Sequence, residues 1–160
     1  MIILGIDPGT ATTGYGVIRA ERRSQPVCLA YDCILTDKDT SSAERLLSLE
    51  EGLLYVLRRH KPQVVSVEKL YFTKNVKTAL PVSEARGVVL LSVARFKLPL
   101  YEFTPPQVKM AVSGNGRADK TQVQRMVKEI LNLSELPKPD DAADALACAL
   151  ACSQVLFNKH

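Results

Sequence analysis

The sequence lacks any apolar run near the roughly 20 residues that a helix needs to span a bilayer, so no transmembrane segment is predicted. It also lacks the basic start and small-residue cleavage site of a signal peptide. Its four cysteines do not have the C-x-x-C spacing of a metal site, and we interpret Cys148 and Cys152 as buried, reduced thiols. The two histidines, His60 and His160, are interpreted as surface residues. These absences predict a cytoplasmic protein with no membrane segment.

Internal repeats, linkers and a second domain are also missing from the sequence, which predicts one domain over residues 1–160. A length of 160 residues is close to the usual domain size and is sufficient to bury a substantial core. A hydrophobic content of 46% and a charged content of 24% are typical of a globular protein and exclude disorder.

Acidic residues are scarce in the middle of the chain. Between positions 69 and 128 there are eleven Lys and Arg against three acidic residues, a net charge of +8, whereas the remainder carries ten basic and fourteen acidic residues, a net charge of −4. A basic middle beside an acidic cluster suits a polyanion held against metal ions. The alternative interpretation is a solvated basic face with no ligand.

The hydrophobic periodicity changes along the chain in an order that predicts the fold class. Strands are predicted at Ile2–Ile6, Gly14–Arg19, Val27–Leu35, Val64–Glu68 and Leu98–Phe103. Helices are predicted over Val76–Phe96 and after four capping residues, Ser42, Thr104, Asp119 and Asp140. Three strands followed by strands that alternate with helices predict an α/β fold with one mixed sheet covered by helices.

Four carboxylates occur where a predicted strand ends or a helix begins. Asp7 ends the first apolar run, and Glu68 ends the run before the long central helix. Asp141 and Asp144 are three residues apart, so they share one face of a helical turn. Strand ends and a helix start can bring these four acids together in space.

Four adjacent carboxylates repel one another, and their pKa values would rise unless a cation compensates their charge. Oxygen ligands suit Mg²⁺ or Mn²⁺, which bind one or two carboxylates and keep water molecules and substrate phosphates as further ligands. The pattern therefore indicates phosphodiester hydrolysis assisted by two metal ions. Taken singly, each acid could instead be a turn residue, a surface residue or a helix-start acid.

Several stretches of this sequence resemble the RuvC family, the bacterial Holliday junction resolvases of the RNase H-like superfamily. The resemblance is carried by Ile6–Gly9, by Val67–Asn75 around Glu68, and by Asp141–Leu146, with further matching stretches at Glu84–Gly87, Gln107–Lys109 and Lys120–Gln124. It covers nearly the whole chain, with the motifs in the family's order. The fold that it implies is RNase H-like, a mixed five-stranded sheet flanked by helices.

The activity that the resemblance implies is Mg²⁺-dependent endonucleolytic hydrolysis in DNA recombination and repair. A homodimer would nick two strands of like polarity in a four-way junction, in partnership with the RuvA–RuvB branch-migration complex. The catalytic and metal-binding residues would be Asp7, Glu68, Asp141 and Asp144. Two Mg²⁺ per active site are expected, and Mn²⁺ can substitute.

The resemblance and the basic middle also indicate DNA-binding residues, which are Tyr71, Phe72, Lys74, Asn75, Arg86, Lys109 and Lys120. One aromatic residue of the Tyr71-Phe72 pair is expected in the core and the other on an unpaired base, with Tyr71 favoured for stacking. Lys109 and Lys120 are expected near the scissile phosphate or its neighbours, where each would offset developing negative charge. A solvated surface position is the alternative for both lysines.

The predicted helix Val76–Phe96 has more apolar faces than one core stripe requires. Part of it is therefore expected at a dimer interface, and the alternative is a fully buried central helix. Two other functions stay open at this point. In a sugar kinase or actin-like ATPase, Asp7–Thr10 would form a phosphate loop, although such proteins need two domains of this kind. A metal-free junction-binding module would keep the basic middle but would not need four acids.

Overall fold

The computed structural model describes residues 1–69 and 76–157, and for residues 76–78 the backbone alone. Five strands are present: β1 (Ile2–Asp7), β2 (Thr12–Arg19), β3 (Val27–Leu35), β4 (Val64–Glu68) and β5 (Leu100–Phe103). The helices are α1 (Ser42–His60), α2 (Val76–Arg95), α3 (Pro105–Ser113), α4 (Lys120–Ile130) and α5 (Asp140–Phe157).

The five strands form one mixed sheet in the order β3-β2-β1-β4-β5. The first three strands are antiparallel neighbours, whereas β4 runs parallel to both β1 and β5. The predicted α/β class and the mixed five-stranded sheet flanked by helices are therefore confirmed. Because β1, β4 and β5 are parallel, their carboxyl ends meet at one edge of the sheet.

The sheet separates two hydrophobic cores. We call the side covered by α3, α4 and α5 the α5 face, and the side covered by α1 and α2 the α1 face. The α5 face packs Ile3, Ile18 and Val64 against the Ala- and Cys-rich surface of α5. The α1 face packs larger aliphatic side chains, which are Leu4, Ile6, Val17, Leu53, Val56, Leu57, Val65, Val67, Val89 and Val93.

The helix starts agree with the predictions in part. Asp119 caps α4, and its side chain accepts a hydrogen bond from the backbone N–H of Gln122, as predicted. The cap of α1 is Ser41 rather than Ser42, because the Glu44 side chain completes a capping box with Ser41. Asp140, which was predicted as the cap of the last helix, lies inside its first turn instead.

Two further predictions concern residues away from the sheet ends. Cys148 and Cys152 are buried free thiols in the α5 core, which confirms the interpretation of the pair. Among residues 1–69 and 76–157, no helix combines the length and apolar character needed to cross a membrane.

Candidate active site

The first two acids are placed by neighbouring parallel strands. Ile6 of β1 pairs with Val67 of β4, so the residues that follow, Asp7 and Glu68, lie side by side at the carboxyl ends of their strands. Their carboxyl groups are hydrogen-bonded to each other. The predicted juxtaposition of the two strand ends is therefore present in the structure.

The other two acids come from the first turns of α5. One carboxylate oxygen from each of Asp7, Asp141 and Asp144 lies within 4.8 Å of the other two. Each of the three residues is partly buried, which leaves the cluster open on one side. Glu68 joins this cluster through its contact with Asp7, so the structure brings all four predicted acids together.

Glycines on the sheet allow α5 to come close enough to place its acids. A Cβ atom on Gly14, the residue of β2 that pairs with Asp7, would overlap the backbone carbonyl of Asp141. A Cβ atom on Gly5 would likewise overlap the backbone of α5 at Ala145. This requirement was not predicted from the sequence, although glycines in a strand often mark such a close backbone approach.

The electrostatics of the cluster are those of carboxylates without a counterion. Burial raises the pKa of Asp7 from its ordinary 3.8 to about 8, and the neighbouring carboxylates of Glu68, Asp144 and Asp141 add to the rise, in that order. Burial also raises the pKa of Glu68 and of Asp144. At neutral pH, the arrangement holds a proton on Asp7 that a bound cation would displace.

Two lysines complete the site from the helices that follow β5. Lys109 of α3 and Lys120 of α4 line a cavity of about 210 Å³ together with Glu68 and Asp144. The rest of the cavity wall is mainly apolar and comprises Pro105, Val108, Val123 and Ala147. A cleft lined by two carboxylates that can hold metal ions and by two ammonium groups can receive a phosphate group between the ions and the lysines.

Lys120 makes specific contacts with α5. Its Nζ lies 3.1 Å from Asp144 Oδ2 and 3.3 Å from Asp140 Oδ2. Burial opposes the charge on this lysine, but hydrogen bonds from its ammonium group to these two carboxylates raise its pKa above the ordinary value. Asp140 therefore forms an ion pair with the Lys120 ammonium group. This contact was not predicted from the sequence, which indicated only a helix cap at Asp140.

The remaining predicted DNA-binding residues are placed differently. The guanidinium group of Arg86, on α2, forms an ion pair with the carboxylate of Glu102 on β5. Tyr71, Phe72, Lys74 and Asn75 lie outside the described residues. The structure thus describes three of the seven predicted DNA contacts, of which Lys109 and Lys120 line the acidic cleft.

The donor set of the cluster fits a divalent metal ion. It consists of carboxylate oxygens, the ligands preferred by hard divalent cations such as Mg²⁺ and Mn²⁺. The raised pKa of Asp7 indicates that the acids, once ionised, need compensating positive charge. Lys109 and Lys120 supply part of this positive charge. The pKa of Asp7 is nevertheless raised to about 8 with both lysines present.

Antiparallel strands β1 to β3, continued by parallel β4 and β5 and covered by helices on both faces, form the RNase H-like arrangement. Acids at the adjoining ends of β1 and β4 and on the helix that crosses them place the chain among the nucleases of that fold. A family model described as crossover junction endodeoxyribonuclease RuvC matches residues 3–152, and the chain belongs to this family.

Individual relatives agree with the family assignment. The chain is 48% identical to a crossover junction endodeoxyribonuclease RuvC of Caldicellulosiruptor saccharolyticus, over 99% of this chain and 98% of that protein. It is 51% identical to the protein of the same description from Desulforamulus reducens, over 96% and 94%. The solved structure of Thermus thermophilus RuvC in complex with a Holliday junction substrate has a TM-score of 0.93 and 35% identity, covering 99% of this chain and 96% of that one.

Proposed function

We propose that this chain is a structure-specific endonuclease that resolves Holliday junctions in DNA recombination and repair. It nicks two strands of like polarity by hydrolysing one phosphodiester bond in each. Residues 1–160 act as one nuclease domain in this proposal. The observation that carries it is the cluster of Asp7, Asp141 and Asp144, with Glu68 beside it, next to a cleft that two lysines line together with Glu68 and Asp144.

The four acids would hold two Mg²⁺ ions, with Mn²⁺ as a substitute. When bound, such ions supply an activated water and stabilise the leaving 3′ oxygen. Asp7 and Glu68 fix the site to the rigid sheet, while Asp141 and Asp144 are fixed to α5. Because the acids belong to packed elements, the distances between them are set before the DNA binds.

Lys109 and Lys120 are proposed to contact the scissile phosphate or its neighbours. Both line the cleft together with Glu68 and Asp144, so a phosphate bound beside these acids would meet their ammonium groups. There they would offset the negative charge that develops as phosphorus becomes pentavalent. Outside the described residues, Tyr71, Phe72, Lys74 and Asn75 are proposed to contact DNA near the junction centre, with Tyr71 stacking on an unpaired base.

The active protein is proposed to be a homodimer, because two symmetric sites match the two-fold symmetry of a four-way junction. An exposed stripe on α2 supports this proposal. Leu80 and Leu91 are 65% and 52% exposed, and their spacing of three helical turns puts them on one face with exposed Gly87 between them. The RuvA–RuvB complex is the proposed partner on the junction, and the cytoplasm remains the predicted location.

A synthetic four-way junction incubated with the protein and Mg²⁺ tests the nuclease proposal. We expect paired nicks with Mg²⁺ or Mn²⁺, none with Ca²⁺, and loss of nicking in Asp7→Asn and Asp144→Asn. Asp39→Asn, at an exposed turn far along the chain from the cluster, is the matched control and should cut normally. ATP turnover without nicking would favour the kinase-like alternative, and binding without nicking would favour a metal-free module.

Light scattering tests the dimer separately. Leu91→Asp should convert the protein to a monomer, because it places a charge on the exposed α2 stripe, where a partner would bury it. Leu47→Asp is the matched control, since Leu47 is a similarly exposed leucine, at 55%, on α1. Dimeric Leu91→Asp protein, free and on junction DNA, would contradict the proposed interface.

A further inference from the structure

The contact between α4 and α5 beside the cleft includes an acid to which the family resemblance assigns no role. Lys120 reaches two acids of α5, and only one of them, Asp144, belongs to the metal-type cluster. The second, Asp140, lies at the very start of α5 with its side chain 62% exposed. Asp140 is therefore a counterion for Lys120 that stands outside the cluster.

The orientation of the Asp140 carboxylate is fixed by a second residue of α4. Its Oδ1 accepts a hydrogen bond of 2.9 Å from Gln124 Nε2, while its Oδ2 faces Lys120 Nζ at 3.3 Å. Lys120 and Gln124 are four residues apart, so they project from the same face of α4. Both oxygens of one carboxylate are thus engaged by neighbouring side chains of one helix.

The position of Lys120 favours such an anchor. It is the first residue of α4, where the helix dipole disfavours a cation, and its side chain is long and 49% exposed. In the structure Asp144 also binds Lys120, but cations in the acidic cluster would compete for the oxygens of Asp144. Asp140 is the carboxylate that would continue to hold the lysine in that state.

We propose that Asp140, oriented by Gln124, is a positioning residue that holds the Lys120 ammonium group at the cleft during cleavage. This inference rests on the proposed nuclease function and deepens it. The ion pair is partly exposed, so it contributes little to folding. Its effect should therefore be found in the rate of cleavage rather than in the stability of the protein or in its affinity for DNA.

Single-turnover cleavage of a synthetic junction with Mg²⁺ tests the proposal. Asp140→Asn keeps an oxygen that can accept from Gln124 but removes the charge. The rate should fall about fivefold to tenfold, equivalent to roughly 1–1.4 kcal/mol of activation free energy, with junction affinity unchanged. Asp140→Glu should recover most of the rate. Glu135→Gln, the control, makes the same change in net charge at an exposed position and should cut normally.

A double mutant separates positioning from an independent effect of Asp140. If Asp140 acts through Lys120, Lys120→Ala/Asp140→Asn should cut at the rate of Lys120→Ala alone. Additive losses, a normal rate in Asp140→Asn, or a fall in affinity that accounts for the loss would each overturn the proposal.

A measurement on the protein with Mg²⁺ but without DNA keeps this test distinct from the test of the nuclease itself. Mg²⁺ is included because Asp144 also holds Lys120 in the metal-free structure. The ¹⁵N signal of the Lys120 ammonium group should be sharp when Asp140 orders it and should broaden or disappear in Asp140→Asn. An unchanged signal would overturn the inference even if the wild-type protein nicks junctions. A failure of the wild-type protein to nick would instead contradict the proposed function, whatever the lysine signal shows.

Discussion

The two faces of the sheet are constructed from different side chains, although the same strands supply both. On the α5 face, the three central strands β1, β2 and β4 carry a large apolar residue far from the acids and a small residue nearer to them. At the edge where the acids meet, each of these strands carries an acid or a glycine. The three series are Ile3, Gly5 and Asp7 in β1, Ile18, Gly16 and Gly14 in β2, and Val64, Ser66 and Glu68 in β4. On the α1 face, Leu4, Ile6, Val17, Val65 and Val67 remain aliphatic throughout.

The residues on the α5 face are those that let the backbone of α5 approach the strands closely. The residues on the α1 face are those that fill a buried apolar volume. Small residues let α5 lie directly on β1 and β2, so that the acids of α5 reach the end of β1. Aliphatic side chains on the α1 face exclude water and stabilise the fold, but they hold no group of the site. Mutations of equal size on the two faces should therefore have different consequences.

The largest effect is expected from one added carbon on each face of β2. Gly14→Ala places a methyl group against the carbonyl of Asp141 and should push α5 away, lowering single-turnover cleavage about 100-fold. Val17→Ile adds one carbon on the α1 face and should cost about 1–3 kcal/mol of stability while leaving the cleavage rate of the folded protein unchanged. Thermal unfolding and junction cleavage are measured on both, and equal cleavage rates would remove the proposed distinction.

A smaller effect concerns pH. The pKa of Asp7 is raised from 3.8 to about 8, so the folded state binds its proton more tightly than the unfolded state. Asp7 therefore lowers the stability of the metal-free protein as the pH rises from 3.8 toward about 8. Asp7→Asn should remove this loss and stabilise the metal-free protein by about 1–3 kcal/mol at pH 8.

Denaturant unfolding at pH 5 and pH 8, in the presence of a chelator, measures this effect. Asp39→Asn provides the comparison with an exposed acid and should follow the wild-type pH dependence. The cost of Val17→Ile should be the same at both pH values, because that residue packs among aliphatic side chains. A parallel pH dependence in wild type and Asp7→Asn would show that the acid cluster does not carry the effect.

The sequence predicted the acid cluster because strand ends and helix starts are visible as changes in periodicity. Asp7 and Glu68 each end an apolar run, and the spacing of Asp141 and Asp144 already placed both on one helical face. The mixed sheet was predicted from the α/β pattern, whereas the order of its strands and the parallel pairing of β1 with β4 are tertiary contacts that the structure supplies.

Other features depend on contacts that no local pattern records. The closeness of α5 to Gly14 is a tertiary distance, and only the alternation of Gly14 and Gly16 in a strand could have indicated it. Asp140 precedes a helical pattern and so was predicted as a cap, yet its partners lie on α4, 16 residues away in the case of Gln124. Ser41 and Ser42 are equivalent as candidate caps until the position of Glu44 is considered.

The smallest expected effect concerns Arg86, the one predicted DNA contact that the structure describes away from the acidic cleft. It belongs to α2 on the α1 face, and it pairs with Glu102 beside Val67 in the sheet. The side chains of the pair are 21% and 33% exposed, so a phosphate approaching Arg86 would also meet the Glu102 carboxylate. We therefore expect the pair to join α2 to β5 rather than to bind DNA.

Salt dependence distinguishes these two roles for Arg86. A lysine or arginine that contacts phosphate should, when replaced by alanine, reduce the slope of log affinity against log salt concentration by about one. Lys109→Ala, on the α5 face, should show this reduction. Arg86→Ala should keep the wild-type slope and lose at most about 1 kcal/mol of stability, the same loss as Glu102→Gln, with no further loss in the double mutant. A slope reduced by Arg86→Ala but not by Glu102→Gln would instead assign Arg86 to the DNA, and the α1 face would then share in binding the junction.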